Sequence, residues 1–339
     1  MSKRNLIAQN LNKIISENKK ISVIYSVIKN NLNLKKNSSF IVAVSGGPDS
    51  MALAGLLHAL NLEKGLKVFY VLVDHGIRKN SSKEAYAVKK LLRKKNISLI
   101  ILKNKKKVIK NIQGEARSIR YRLLTSFSKR KKIKYILTAH HSDDQIETFL
   151  IRLSRGSGIQ GLSSMKSSTV LDGKIKLLRP LLDIKKADLI FTAKKIFGKV
   201  FKDPSNTNKK YLRTRMRSLK KILETSGISH EQIIRSIKNL ASSSNTLNKY
   251  IEKIYKLNVK KEKKRIYINF RNILIETKEV QLKILSKVIV VFSKSYYPPR
   301  SKKILNVINT LVSGEQKKMT LSGCIIEKYG NQLLVRKEP

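Results

Sequence analysis

The chain has 339 residues, with 73 Lys and Arg against 22 Asp and Glu, and its formal charge of +51 has two readings: a polyanionic partner, since each phosphate neutralised releases condensed counterions, and the compositional drift of an AT-rich coding sequence, which uses Lys, Asn and Ile heavily throughout. No apolar run approaches the roughly 20 residues of a membrane-spanning helix, and residues 1–20 scatter Lys and Asn where a secretory signal needs a continuous apolar stretch, so a cytoplasmic protein is expected. One cysteine, Cys324, excludes a disulfide framework, a paired-cysteine zinc site and a two-thiol redox relay.

Residues 1–37 read as a polar, amphipathic helical lead-in that carries no chemistry. From Ser39 onward short β-branched runs alternate with helical patterns. Strands are predicted over 40–44, 68–73, 98–102 and 135–139, and helices over 50–60, 82–95, 113–129 and 143–153. This alternation predicts an α/β fold: a doubly wound parallel sheet with helices on both faces and ligands at the carboxyl ends of its strands. Beyond about residue 216 the pattern is mostly helical to 256, then mixes short strands and helices, and no Asp occurs after Asp203 while Lys stays dense. The expected organisation is therefore a lead-in at 1–37, an α/β domain at 38–215 and a smaller basic, helical or α+β region at 216–339. The Lys-rich tracts 103–110 and 260–264 read as solvated faces.

Three segments carry chemistry. Phe40-Ile-Val-Ala-Val-Ser-Gly-Gly-Pro-Asp-Ser-Met51 ends a buried strand in two glycines and opens a helix. Gly46 and Gly47 let backbone N–H groups approach an anion, and the helix N-terminus adds partial positive charge. Ser45 and Ser50 offer hydroxyl donors, and Asp49 offers a carboxylate to a magnesium ion on phosphate oxygens. Val73-Asp-His-Gly-Ile-Arg78 places Asp74 and His75 at the same sheet edge, for nucleotide contact. Thr138-Ala-His-His-Ser-Asp-Asp-Gln-Ile-Glu-Thr148 closes the fourth strand, with His141 on the turn and Asp144 and Glu147 on one helical face. The chain has eight Asp, and four of them (Asp49, Asp74, Asp143, Asp144) fall at predicted strand ends on this edge. Paired carboxylates beside a nucleotide suit a cationic amine whose proton must be accepted. Gly156-Ser-Gly-Ile-Gln-Gly161 satisfies G-x-G-x-x-G formally but follows a helix, so nicotinamide binding is discounted.

Ser45–Ser50 resembles the pyrophosphate loop of the N-type ATP pyrophosphatases, the PP-loop superfamily. Together with Glu115-Ala-Arg-Ser-Ile-Arg-Tyr121, the stretch 139–161, Lys202-Asp-Pro-Ser-Asn206, Tyr211-Leu-Arg-Thr-Arg-Met-Arg217 and Leu321-Ser-Gly-Cys324, the chain resembles the tRNA(Ile)-lysidine synthetases, strongly over 38–220 and loosely beyond. The resemblance implies a ligase that uses ATP to adenylate C2 of the wobble cytidine in the CAU-anticodon isoleucine tRNA. Free L-lysine then attacks, giving lysidine, AMP and pyrophosphate and changing codon reading from AUG to AUA. It implies ATP and Mg²⁺ at Ser45, Gly46, Gly47, Pro48, Asp49, Ser50, Asp74, His75 and His141, with the metal on Asp49, and lysine at Asp144 and Glu147. Asp49, Asp144, Glu147 and Arg117 are the expected catalytic residues. Arg117, Arg120, Arg213, Arg215 and Arg217 are the expected tRNA contacts, because a planar guanidinium binds phosphate bidentately and stacks on bases. Relatives further suggest a homodimer. The rival readings are a different PP-loop tRNA-modifying enzyme, such as a thiolase needing the paired cysteines this chain lacks, and a basic RNA-binding protein with a non-catalytic nucleotide site.

Overall fold

A computed structural model describes residues 3–32, 37–77, 80–104, 112–201, 212–292 and 299–338. The chain forms two compact units, Met1–Ala241 and Ser242–Pro339. Among the described residues no helix is long and apolar enough to cross a membrane.

The first unit opens with α1 (Lys3–Ser16) and α2 (Lys19–Asn31). Ile21, Ile24 and Ile28 recur at helical spacing and bury one face of α2, so the lead-in belongs to the first core. There follow β1 (Ser39–Val44), α3 (Pro48–Lys64), β2 (Lys67–Asp74), α4 (Ser81–Arg93), β3 (Leu99–Lys103), α5 (Ile112–Arg130), β4 (Tyr135–Leu137) and α6 (Ser142–Leu153). All four predicted strands and their helices are present. Next come the short α7 (Ile159–Leu162), β5 (Ser168–Asp172), β6 (Ile175–Leu178), α8 (Lys186–Phe197), α9 (Leu212–Thr225) and the first turns of α10 (His230–Asn258), a helix whose residues from Ser242 onward belong to the second unit.

The sheet order is β3-β2-β1-β4-β6-β5, parallel throughout except for β5 at the edge. Strand residues alternate between two cores, as the period of two requires: Phe40, Val42 and Val44 face one, and Ile41 faces the other with Leu124, Phe127 and Ile136. Both faces are thus covered. Helix α3 is buried continuously from Ser50 to Leu60, and Gly55 lets α8 approach it, since a Cβ there would lie 2.9 Å from Ile196. The chain runs outward from β1 through β2 to β3, and from β4 to β6 on the other side. The reversal between β1 and β4 opens a crevice at their carboxyl ends, where ligands of doubly wound sheets bind.

The second unit contains β7 (Val259–Lys261), β8 (Arg265–Asn269), α11 (Phe270–Ile275), α12 (Lys278–Phe292), α13 (Ser301–Ser313), β9 (Lys318–Leu321), β10 (Cys324–Tyr329) and β11 (Gln332–Lys337). Its antiparallel sheet, ordered β7-β8-β11-β10-β9, shares a core with α11, α12 and α13. Cys324 is buried in that core, its thiol donating to the Ile289 carbonyl.

The division between units falls later than the compositional break at 215/216. Met216 and Leu223 of α9 and Ile233 and Ile237 of α10 pack with Ile146 and Leu150 of α6, which ties residues 216–241 to the first unit.

Candidate active site

The loop after β1 is organised by its own residues. Gly46 has φ +86°, and a Cβ there would lie 2.6 Å from Val88 Cγ2, so both conformation and space require glycine. Gly47 caps α3 and Pro48 begins it, a position where the missing N–H has no intrahelical partner to lose. Ser50 Oγ accepts from the Ser45 N–H at 3.0 Å, lies 3.1 Å from Ser45 Oγ and donates to the Gly47 carbonyl at 3.0 Å. Ser50 therefore closes the loop from inside, where the sequence pattern suggests a donor to ligand. Ser45 is exposed.

After β2, both oxygens of Asp74 are engaged: Oδ1 accepts from the Gly76 N–H at 3.0 Å and Oδ2 from Ser82 Oγ at 2.6 Å. Burial acts to raise its pKa, but bonds from Ser82, Ser81 and Gly76 outweigh it and hold the carboxyl below its ordinary range. Asp74 joins the end of β2 to α4, a role in shaping the edge. His75 beside it is pushed down to about 4 by burial and by the field of Arg120, so its ring is neutral, and its Nδ1 is buried without a hydrogen-bond partner.

The turn after β4 meets the loop after β1. His141 caps α6 in a reciprocal box: Nδ1 accepts from the Asp144 N–H at 3.4 Å, and Asp144 Oδ2 accepts from the His141 N–H at 3.2 Å. On its other side His141 Nε2 lies 3.6 Å from Asp49 Oδ2 and 3.5 Å from Asp144 Oδ2. The ring is 2 % exposed. Burial acts to lower its pKa, yet the carboxylates of Asp49, Asp144 and Asp143 around the ring raise it overall. One imidazole thus joins the carboxylates of two loops at the crevice. Asp49 Oδ1 is buried and has no hydrogen-bond partner, an acceptor free for a cation.

Helix α9 packs along α6. Arg217 Nε donates to Glu147 Oε1 at 2.5 Å, and Lys220 Nζ donates to Asp143 Oδ1 at 2.5 Å. Asp143 Oδ2 also accepts from the Lys186 N–H at 3.0 Å. Burial would raise the Asp143 pKa, but Lys220 and the Lys186 N–H hold it down to about 2. At the end of β4, His140 Nδ1 lies 2.8 Å from Thr138 Oγ1. Burial, then the fields of Arg179, Arg117, Arg213 and Arg120, push His140 down to about 3.

Comparison with known proteins bears on this arrangement. The family description of a PP-loop domain matches residues 16–223. A tRNA(Ile)-lysidine synthase from Wolbachia pipientis wMel is 36 % identical over 310 residues, covering 89 % of this chain and 71 % of that protein. One from Rhodopseudomonas palustris is 32 % identical over 320 residues, covering 90 % and 92 %. The chain belongs to the tRNA(Ile)-lysidine synthase family, within the PP-loop proteins. Among solved structures it is similar to the U34-tRNA thiolase NcsA of Methanococcus maripaludis with its 4Fe-4S cluster, at TM-score 0.57 and 20 % identity, covering 66 % of this chain and 79 % of that one. That likeness extends to the fold.

In this lysidine synthase family member the structure regroups the residues picked from sequence. Asp49, His141 and Asp144 come together. Glu147, paired in the sequence reading with Asp144 for one ligand, is 3 % exposed and meets Arg217, which the same reading gave to RNA. Arg117, Arg120 and Arg213 converge electrostatically on His140, with Arg117 stacked 4.9 Å over Tyr121. Arg215 lies on the exposed surface of α9. Sequence reasoning missed His140 and Arg179. A His-His pair at a strand end, and an arginine at another strand end in a chain that prefers lysine, are the signals that mark them. Gly158 caps the four-residue α7, and Arg152 holds that loop through the carbonyls of Gly161 and Ser164, so the glycine pattern there is a helix-to-helix turn. The motif Lys202–Asn206 and Tyr211 lie outside the described residues.

Proposed function

We propose that this chain forms lysidine as the family does, using ATP to adenylate the wobble cytidine of the CAU-anticodon isoleucine tRNA and free L-lysine to displace AMP. The observation that carries the reading is the contact of Asp49 and Asp144 through His141, which sets a phosphate loop and an amine-binding carboxylate side by side at the β1/β4 switch point.

The backbone of Ser45, Gly46 and Gly47 and the N-terminus of α3 bind the pyrophosphate part of ATP, and the rigid closure by Ser50 keeps those donors in place before the nucleotide arrives. Among the described residues no group of three His, Cys, Asp or Glu side chains is arranged to hold a metal ion. Magnesium fits regardless, because it usually takes one or two carboxylates and completes its shell with phosphate and water. Asp49, with its unpartnered Oδ1, would hold it. When bound, the ion offsets charge on the leaving pyrophosphate.

Asp144 receives the lysine ammonium and favours release of its proton toward the carboxylate, with His141 fixing the orientation of Asp144 through the capping box. Arg117, Arg120, Arg213 and Arg215 neutralise anticodon phosphates, and the neutral ring of His140 among them offers hydrogen bonds without adding charge. The same reading makes the protein cytoplasmic and its assembly a homodimer, which sedimentation tests.

Asp144→Asn separates the two half-reactions. Pyrophosphate release in the first turnover is expected to stay within about threefold, while kcat/KM for lysine falls about a hundredfold, the size of losing a charge-assisted hydrogen bond in an occluded site. Rates of both half-reactions falling together would remove Asp144 from the amine site. An RNA-binding protein with a silent nucleotide site would release no pyrophosphate in either form.

A further inference from the structure

We propose that Lys220 is a positioning residue: by gripping Asp143 it holds the first turn of α6, and with Arg217 it makes α9 the support that fixes where Asp144 meets His141. Residues 213, 217 and 220 recur at helical spacing and share one face of α9. Two of these cations close on two carboxylates one turn apart on α6, Lys220 on Asp143 and Arg217 on Glu147. An isolated surface ion pair contributes little. These are different: the Lys220 and Asp143 side chains are 16 % and 19 % exposed, and the Glu147 side chain that meets Arg217 is 4 % exposed.

The first turn of α6 is held by α8 and the residues before it, by α9 and by α10. Ser142 donates through Oγ and through its N–H to the Ile184 carbonyl, and His230 Nε2 of α10 lies 3.0 Å from the same Oγ. Asp143 takes Lys220 from α9 and the Lys186 N–H at the start of α8. Asp144, the next residue, then lies against His141. Groups that orient a functional side chain from behind are worth about 10–100-fold in affinity or activity where this has been measured, at metal sites. Arg213 lies on the same face as Lys220, so the helix that meets nucleic acid in the reading above is also the helix that supports the turn.

The proposal rests on Asp144 receiving the lysine ammonium. Its test uses Lys220→Met, Lys220→Arg and Asp143→Asn in the full chain, with KM for lysine, KM for ATP and the melting temperature measured for each. Lys220→Met is expected to raise KM for lysine about tenfold and leave KM for ATP within about twofold, because a shift of the first turn of α6 misplaces Asp144 and leaves the β1 loop alone. Lys220→Arg, which keeps a cation for Asp143, is expected to restore KM for lysine to within about threefold. Asp143→Asn, which keeps an acceptor for the Lys186 N–H but loses the charge, should reproduce the Met variant. An unchanged KM for lysine in Lys220→Met or Asp143→Asn would overturn the positioning role. So would an Arg variant no better than Met, or a parallel rise in both KM values with a lowered melting temperature. A retained KM in Asp144→Asn would instead remove the amine site on which the proposal rests.

Discussion

Asp49→Asn is expected to lower pyrophosphate release and lysidine formation together by about a thousandfold, the scale of removing a preorganised charge from a site of developing negative charge. The substitution keeps shape and removes charge. Asp49 Oδ1 has no hydrogen-bond partner, and Oδ2 lies 3.6 Å from His141, so the native fold loses little. Asp49 belongs to the first turn of α3, whose N-terminus is the anion-binding end, and a carboxylate there competes with phosphate unless a cation joins them. Single-turnover pyrophosphate release at saturating tRNA, with thermal melting alongside, checks this. A rate within tenfold of the unchanged chain would show that another group offsets the phosphate charge.

Arg217→Met is expected to destabilise the first unit by about 3–5 kcal/mol, because it strands a carboxylate that is 3 % exposed. Two opposing effects decide the size. Water reaches the guanidinium, whose side chain is 31 % exposed, which weakens the attraction; Glu147 itself has almost no access to water and cannot be resolvated without moving α6. The second effect is larger, since removing one partner leaves the full desolvation penalty of the other. The melting temperature should fall by about 10 °C. Adding Glu147→Gln should recover more than half of the loss, because the stranded charge is then gone. The slope of tRNA affinity against salt should stay unchanged in this variant, whereas replacing Arg213 and Arg215 should flatten it by about one unit for each phosphate no longer neutralised. An unaltered melting temperature would mean that the pair is solvated.

The two loops of the site are legible in the sequence because their chemistry is local. Ser45-Gly-Gly-Pro-Asp-Ser50 marks a strand-to-helix turn that only glycine can make at Gly46, and in a chain with eight Asp the cluster at 143–144 stands out. What such scarcity cannot separate is a ligand from a brace. Asp74 and Asp143 give the same signal as Asp49 and Asp144, yet both oxygens of each are engaged within the chain, Asp74 by Ser82 and Gly76, Asp143 by Lys220 and Lys186, whereas Asp49 keeps an unpartnered Oδ1 and Asp144 accepts from the His141 N–H through Oδ2. Acidic residues are favoured in a helix's first turn for either purpose.

The rest depends on tertiary pairing. Arg217 and Glu147 are 70 residues apart, and nothing marks one cation among 73 as the partner of a buried carboxylate. The β5–β6 hairpin lies at the sheet edge with β5 alternately exposed, so its apolar signal is weak; Asp172-Gly173 is the turn pair that announces it. The unit boundary is hidden because α10 runs unbroken for 29 residues and its first turns pack on α6, so a change in composition near 215 is not a change in packing.

The most direct measurement is incorporation of isotopically labelled lysine into CAU-anticodon isoleucine tRNA, with ATP and Mg²⁺, followed by mass analysis of the nucleosides. A cytidine-plus-lysine nucleoside that disappears when ATP is omitted is the predicted result. Pyrophosphate release that requires some other acceptor, with no lysine in the tRNA, would contradict it.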